Sequence, residues 1–321
     1  MGRWNWRFWA GPAELRKRGV LGINRRNADF VLRANRRALY PRVDDKLLTK
    51  QISETRGIPV PATYGVFERY GDFRRFDEWV GERREFVIKP AKGSEGRGIV
   101  VIVGRAGADF LTASGERLTV AEARYHLAAI LSGLYSLGGQ PDSAIVEQRI
   151  QRHPAFDSVA VGGTPDVRVV LYRCVPVMAM IRLPTKASRG RANLHQGAVA
   201  AGVHLVTGKT SGGVCKNRAV AAHPDTGLPI AGLEIPGWDN LLNAAMELAE
   251  ALELGYVGVD FVLDAKAGPV VLEANARPGL AIQVANRRGL EPRLELVAAE
   301  PEGPISWERR RELASILADL P

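Results

Sequence analysis

The sequence predicts a protein of mixed α and β structure, with short paired strands and a few capped helices, and three observations carry the prediction. Strand-like runs come in neighbouring pairs joined by short turns, at 85–89 with 98–103 and at 256–264 with 269–275. Helix-start signals stand apart from these pairs, at Asp44 or Asp45, at Thr119 with Glu122, and at Asp239. A chain of 321 residues, 46% hydrophobic and 25% charged, buries enough core for one large domain or two closely packed ones.

From Asp44 or Asp45 a helix is expected to run to about Arg56, stopped by Gly57, Pro59 and Pro61, with a strand at about Thr63–Phe67. The capping box Thr119 and Glu122 opens a helix expected to reach Tyr135. Strand-rich stretches follow at 144–150 and 167–183. Asp239 is expected to cap a helix whose Leu241, Leu242, Ala245, Leu248, Ala249 and Leu252 recur at helical spacing, with Gly255 as its stop. A short charged helix at 307–317 ends the chain, and no internal repeat or low-complexity segment is present.

Composition narrows the class. The longest apolar stretch, Val169 to Ile181, is interrupted by Arg173 and is shorter than the roughly 20 residues of a membrane span. No apolar signal-peptide core is present, and Cys174 and Cys215 make no disulfide framework, so a cytoplasmic location is expected. Residues 1–42 hold eleven Arg and Lys against two acids, which is the whole net charge of +9. A locally basic arm suits a surface of anionic groups, and Trp4, Trp6, Phe8 and Trp9 beside Arg3 and Arg7 suit a membrane interface. The same tryptophans equally suit packing on the main domain or on a second subunit. The remaining chain is balanced and offers no basic groove, so nucleic acid is not an expected partner.

The stretch 256–275 reads as a β-hairpin across the loop Ala265-Lys266-Ala267-Gly268. A symmetric four-residue loop sets Asp264 opposite Pro269 and Asp260 opposite Glu273, and strand alternation puts Asn275 on the side of Glu273. Opposed carboxylates repel unless a positive charge lies between them, and Mg²⁺ takes such hard oxygen donors while keeping sites for water and phosphates. A solvated strand face is the other reading, and Asp264 serves the turn. A second signal is Lys89 at a strand end, followed by Lys92, Gly93, Ser94, Gly96 and Gly98. Glycines let backbone N–H groups approach phosphate oxygens, and no Gly-Lys-Ser/Thr opens a helix here, so it is not a Walker A loop. A glycine-rich turn with a solvated lysine is its plain alternative.

Together these residues resemble the ATP-grasp superfamily, and within it the alpha-L-glutamate ligase-like branch. The resemblance runs from about Leu21 to Leu290. It covers, in order, Asp45-Lys46 to Thr49 with Gly57 to Pro61, Val87 to Lys89 with the glycine loop, Ile145 to Gln148, Asp166 to Arg168, Arg191 to Gly197, Gly258 to Asp260, and Glu273 to Gly279. It implies two α+β subdomains that grip ATP between them. In the family's pattern Lys46 and Lys89 bind the ATP phosphates under a lid formed by Gly93, Ser94, Gly96 and Gly98. Glu147 and Gln148 form the adenine hinge, Asp166 lies near the ribose, and Asp260, Glu273 and Asn275 hold two Mg²⁺ ions, with Mn²⁺ as a substitute. Arg182 steadies an acyl phosphate, and Arg191 and Asn193 approach it. The implied reaction is ADP-forming: a carboxylate attacks the γ-phosphate, and an amine then attacks the acyl phosphate. The alternative class is a nucleotide-binding adaptor at a membrane or partner surface.

The expected organisation is an arm at 1–43, an ATP-grasp domain at 44–290 divided at 148, and a tail at 291–321. Only 45 residues precede Lys46, where similar glutamate ligases carry a full α/β domain. The arm, with Asn24 to Asn27 and Asn35 to Arg37, is expected to replace part of that wall. The expected partners are therefore a small carboxylate such as an amino acid, an amine acceptor that is large or anionic, and a membrane or protein surface for the arm.

Overall fold

The computed structural model describes residues 11–80, 83–93 and 96–320. Trp4, Trp6, Phe8, Trp9, Arg3 and Arg7, and Ser94 with Glu95 of the glycine-rich loop, lie outside the described residues. The chain divides into two compact units, one from Pro41 to Gln151 and the other joining the segment up to Tyr40 with Arg152 onward.

In the first unit Asp45 caps the helix Lys46–Thr55, its side chain accepting from the Leu47 N–H. Six strands follow: β1 (Thr63–Phe67), β2 (Phe86–Pro90), β3 (Val100–Ala106), β4 (Asp109–Thr112), β5 (Arg117–Leu118) and β6 (Ala144–Glu147). They form one sheet in the order β1-β6-β2-β3-β4-β5 with antiparallel neighbours. Alternation along β2 turns Phe86 and Ile88 inward, where they join Phe67, Phe76, Ile102, Phe110 and Leu127 in the core. Phe86 meets Phe110 edge to face at 5.2 Å, the arrangement that ring quadrupoles favour. The capping box at Thr119 and Glu122 forms as expected, but its helix, Val120–Leu131, stops short of Tyr135.

The second unit carries β7 (Asp166–Tyr172), β8 (Val175–Leu183), β9 (Val199–Val203), β10 (Thr210–Cys215), β11 (Arg218–Val220), β12 (Tyr256–Asp264) and β13 (Gly268–Asn275). Their order is β11-β10-β9-β8-β7-β12-β13. The long apolar stretch is a hairpin, β7 and β8, turned by Arg173 and Cys174 in left-handed conformations. The helix Trp238–Leu252 buries Leu241, Leu242, Ala245, Leu248, Ala249 and Leu252 as its spacing requires. Its cap differs from expectation: Gly237 precedes it and Asp239 lies in its first turn, because the Trp238 ring is drawn in and its Nε1–H donates to Leu205 O at 2.9 Å. Glu253 ends this helix. Gly255 serves packing instead, since a Cβ there would lie 2.8 Å from the Ala34 Cβ.

The described part of the basic arm, residues 11–40, is counted in this second unit. Asn35 explains how: its side chain accepts from Tyr256 N at 2.8 Å and donates to Tyr256 O at 2.7 Å. Leu21 and the Gln283 amide exchange two further bonds of 2.8 and 3.1 Å. The C-terminal helix Trp307–Asp319 packs on β8, so the tail is likewise integral to this unit. Among the described residues no helix is long and apolar enough to cross a membrane.

Candidate active site

Among the described residues each unit contains a cluster of buried, mutually paired charges. In the first, the helix Lys46–Thr55 presents Lys46 and Lys50 one turn apart, and β2 and β6 set Lys89 and Glu147 on adjacent strands. Glu147 receives Lys50 Nζ at 2.7 Å and Lys89 Nζ at 2.5 Å, and all three side chains are buried. The two lysines hold the Glu147 carboxyl below its usual range against the opposing effect of burial, and burial lowers Lys50. Glu147 was expected at the adenine hinge. Its two oxygens are engaged by lysines, and the neighbouring Gln148 accepts from Ala62 N at 3.3 Å while its own N–H donates to Ala62 O at 2.8 Å.

The start of the glycine-rich loop is held by Asp142. Asp142 accepts from Lys92 N at 3.0 Å, from Ser136 Oγ at 2.7 Å and from Ser143 N at 2.7 Å. Lys46 Nζ reaches Gly93 O at 2.5 Å, which brings this predicted phosphate ligand to the start of the loop. The other end is tied at Gly98, whose φ is +74° and where a Cβ would meet the Tyr135 ring at 2.6 Å. The His126 ring nitrogen Nε2 pairs with Gly98 O at 2.9 Å, and Gly96 between the ends has φ +72°. Burial lowers the His126 pKa below 6.5, so its unfolded form binds more protons in acid. Stability is thus expected to fall as pH drops from about 6.5 through the folded value. His126→Gln, which keeps a donor for Gly98, is expected to lose less between pH 7.5 and pH 5.5 in thermal melts.

The second cluster spans four strands. Arg182 on β8 faces Asp166 on β7, Arg168 two residues along faces Asp260 on β12, and Asp260 faces Glu273 on β13. Arg168 clasps Asp260 through two bonds of 2.6 and 2.5 Å, and Arg182 adds a third at 3.1 Å while pairing with Asp166. The arginines draw the Asp260 carboxyl down to about 2, while burial pushes Asp166 up to about 7. Asp166, expected near a ribose, is therefore a partner of Arg182 within the sheet.

The facing of Asp260 and Glu273 arises by a different path from the symmetric loop. Asp264 opposes Gly268 across a shorter loop, and a bulge between Phe261 and Asp260 restores the expected pair. Asp264 accepts from Lys266 N and Ala267 N at 2.9 Å each, which is turn chemistry as expected. The repulsion argument for a cation needs correction, because Arg168 and Arg182 already neutralise Asp260. A narrower argument stands: Glu273 faces Asp260 across the hairpin, and two carboxyl groups side by side are stabilised by a cation that both can ligate. Among the described residues no three His, Cys, Asp or Glu side chains converge as a metal set. Two carboxylates with the amide of Asn275 are hard oxygen donors and fit Mg²⁺, with Glu273 and Asn275 half-buried at the accessible side and Asp260 behind them.

Arg191 and Asn193 lie on the loop after β8 and make local contacts. Asn193 accepts from His195 N at 2.9 Å, and Arg191 donates to Gln196 at 3.3 Å. Two residues were missed by the sequence reading. Lys50 was signalled by its four-residue spacing from Lys46, and Arg168 by its alternation with Asp166.

A sheet bearing buried lysines and a glycine-rich connection, and a second sheet ending in an acidic hairpin, are the two halves of an ATP-grasp fold. The chain belongs to the sugar-transfer associated ATP-grasp family, whose model matches residues 25–299. It is 28% identical over 270 residues to a probable alpha-L-glutamate ligase of Sodalis glossinidius, covering 84% of this chain and 66% of that protein. The chain thus spans slightly less than two thirds of that curated relative. Among solved structures, D-cycloserine synthetase DcsG is 16% identical with a TM-score of 0.47, covering 83% of this chain and 72% of that one. D-Alanine–D-alanine ligase from Bacillus anthracis, complexed with ATP, is 14% identical with a TM-score of 0.45, covering 88% of this chain and 68% of that one.

Proposed function

We propose that the chain is an ADP-forming carboxylate–amine ligase that uses ATP and Mg²⁺ to join a small carboxylate to an amine. The observation that carries this reading is the pairing of Asp260 with Glu273, beside Asn275, inside the span matched by the family. Magnesium bound there supplies charge neutralisation for phosphate oxygens. Lys46 and Lys89 bind phosphates, with Lys50 retaining Glu147 when Lys89 turns to them. The loop from Gly93 through Ser94 and Gly96 to Gly98 excludes water from an acyl phosphate. Gln148 and neighbouring backbone meet the adenine, and Arg182, set by Asp166, stabilises the acyl phosphate with Arg191 and Asn193. Asp260, Glu273 and Asn275 would hold two Mg²⁺ ions, for which Mn²⁺ would substitute.

The carboxylate is an amino acid such as glutamate, in keeping with the curated relative. The family's association with sugar transfer favours a sugar-bearing acceptor over a free amino acid. The aromatic, basic N-terminus meets a membrane or protein surface, and the enzyme is read as cytoplasmic. The test is ADP release from Mg·ATP across a panel of amino acids and small carboxylates, with and without amines. Carboxylate-stimulated release is expected, and Glu273→Ala is expected to lower it roughly 10²-fold or more. Tight Mg-dependent ATP binding with no stimulation by any pair would favour the adaptor, and absence of ATP binding would sink both readings.

A further inference from the structure

Beyond residue 42 the charge balances in sum but not in place. From Val167 to Pro224 the chain holds nine Arg and Lys and no Asp or Glu, and between Tyr172 and Trp238 it holds no Phe, Trp or Tyr. Arg168 and Arg182 pair with Asp260 and Asp166, Lys209 pairs with Glu234, and Arg173 donates to carbonyls of the C-terminal segment. The other five, Lys186, Arg189, Arg191, Lys216 and Arg218, are exposed, and among the described residues none of them has a carboxylate partner. The fold gathers them at one end of the second sheet. Leu183 at the end of β8 pairs with Val199 at the start of β9, and Val214 on β10 pairs with Ala200, so the loop 184–198 and the Lys216-Asn217 turn leave the sheet side by side. Contact distances agree: a Cβ on Gly197 would lie 3.4 Å from the Ala187 Cβ and 3.6 Å from Lys216 Cε, and the Cys215 thiol donates to Gly197 O at 3.5 Å. Arg218 is paired with Cys215 across the turn and so shares its face of the hairpin.

The backbone beneath these cations is pinned. Thr185 Oγ1 closes the loop on Gly197 O at 2.9 Å, and Ser188 Oγ accepts from Thr185 N at 2.9 Å. Gly190 sits so close to Gly162 that a Cβ on it would lie 2.1 Å from Gly162 O. The buried His223 pairs through Nε2 with Pro184 O at 3.1 Å. Asp225 borders the surface, but its carboxylate accepts from the Lys186 backbone N–H at 2.7 Å. Like charges held together without a counter-charge raise a positive potential that an anion relieves, and a backbone ordered beforehand lowers the cost of binding one. Guanidinium and ammonium heads suit phosphate oxygens. The lack of aromatic side chains along this stretch leaves it no platform for stacked bases or for a membrane interface. Near the end of β8 the Arg182 guanidinium reaches Asp260 at 3.1 Å, so the surface adjoins the charge cluster of the same sheet.

We propose that Lys186, Arg189, Arg191, Lys216 and Arg218 form a docking surface for the phosphate-ester or diphosphate group of a small molecule. That this molecule is the amine acceptor of a ligase rests on the reading above; the surface itself does not. The test is isothermal titration of the full chain with inorganic pyrophosphate, glycerol phosphate, glutarate and a short single-stranded oligonucleotide, in excess ADP to fill a nucleotide site. Saturable pyrophosphate binding is expected, and Lys216→Gln combined with Arg218→Gln is expected to weaken it roughly tenfold or more. Lys216→Arg combined with Arg218→Lys is expected to retain most of the affinity. Both double variants are expected to melt as the wild type does, because exposed side chains without partners contribute little to stability. Glycerol phosphate bound as tightly as pyrophosphate would identify a monoester ligand, and pyrophosphate well ahead of it a diphosphate. No saturable binding of either phosphate, equal affinity in the charge-removed variant, or glutarate bound more tightly than pyrophosphate would overturn the proposal, and oligonucleotide binding without phosphate binding would overturn it in favour of nucleic acid. Pyrophosphate binding that depends on Lys216 and Arg218 without any ADP release would sink the ligase reading and leave the surface standing, whereas turnover with pyrophosphate binding indifferent to both would do the reverse.

Discussion

Asp260→Ala is expected to destabilise the chain by about 3–5 kcal/mol, the effect typical of breaking a buried ion pair from one side. The cause is the pair of guanidinium groups left behind, Arg168 and Arg182, both held on the same carboxylate within the sheet. Asp166 retains Arg182, but Arg168 loses its carboxylate partner. Chemical denaturation of wild type and variant gives the difference directly. Arg168→Met in the Asp260→Ala background is expected to recover much of the loss, since removing both charges lifts the desolvation cost that removing one creates. Failure of the second substitution to recover stability would mean that the hairpin bulge, rather than the charge network, fails in the single variant.

Glu147→Gln is expected to have a comparable effect in the other unit, about 3–5 kcal/mol, because it leaves Lys50 and Lys89 buried with no anion between them. The isosteric amide keeps the shape, so the change reads charge. Lys50→Met in the Glu147→Gln background is expected to restore most of the stability, while Lys89→Met is expected to weaken ATP binding under the ligase reading. Melting temperature and ATP affinity measured on the same variants separate the two lysines. Equal effects of both lysine substitutions on ATP affinity would assign Lys50 to the nucleotide as well.

Much of this arrangement is legible in the chain because it depends on local rules. Helical spacing set the buried face of the helix Trp238–Leu252, and the Thr119 and Glu122 capping box named its helix start. Period-two alternation placed Asp260, Glu273 and Asn275 together even though the loop was misjudged, because the bulge offset the shorter turn. The family resemblance added roles that spacing alone does not carry.

The partners of the buried charges were not legible, and the reason is physical. Whether Glu147 meets adenine or lysine depends on which strand lies beside β6, and whether Asp260 meets a metal or an arginine depends on β7 pairing with β12. Those pairings join residues 58 and 92 positions apart. Their geometry is set by packing of whole sheets, so no local pattern encodes it. The same holds for the N-terminal segment: its basic composition is plain in the sequence, but only the docked fold, with Asn35 bonded to Tyr256, shows Arg26 turned inward while Arg25 and Arg36 reach the exposed Glu295 and Glu253. The sequence by itself determined the elements, the acidic hairpin and the family; the tertiary structure decided which charge neutralises which, because burial makes each charge depend on whatever the fold brings beside it.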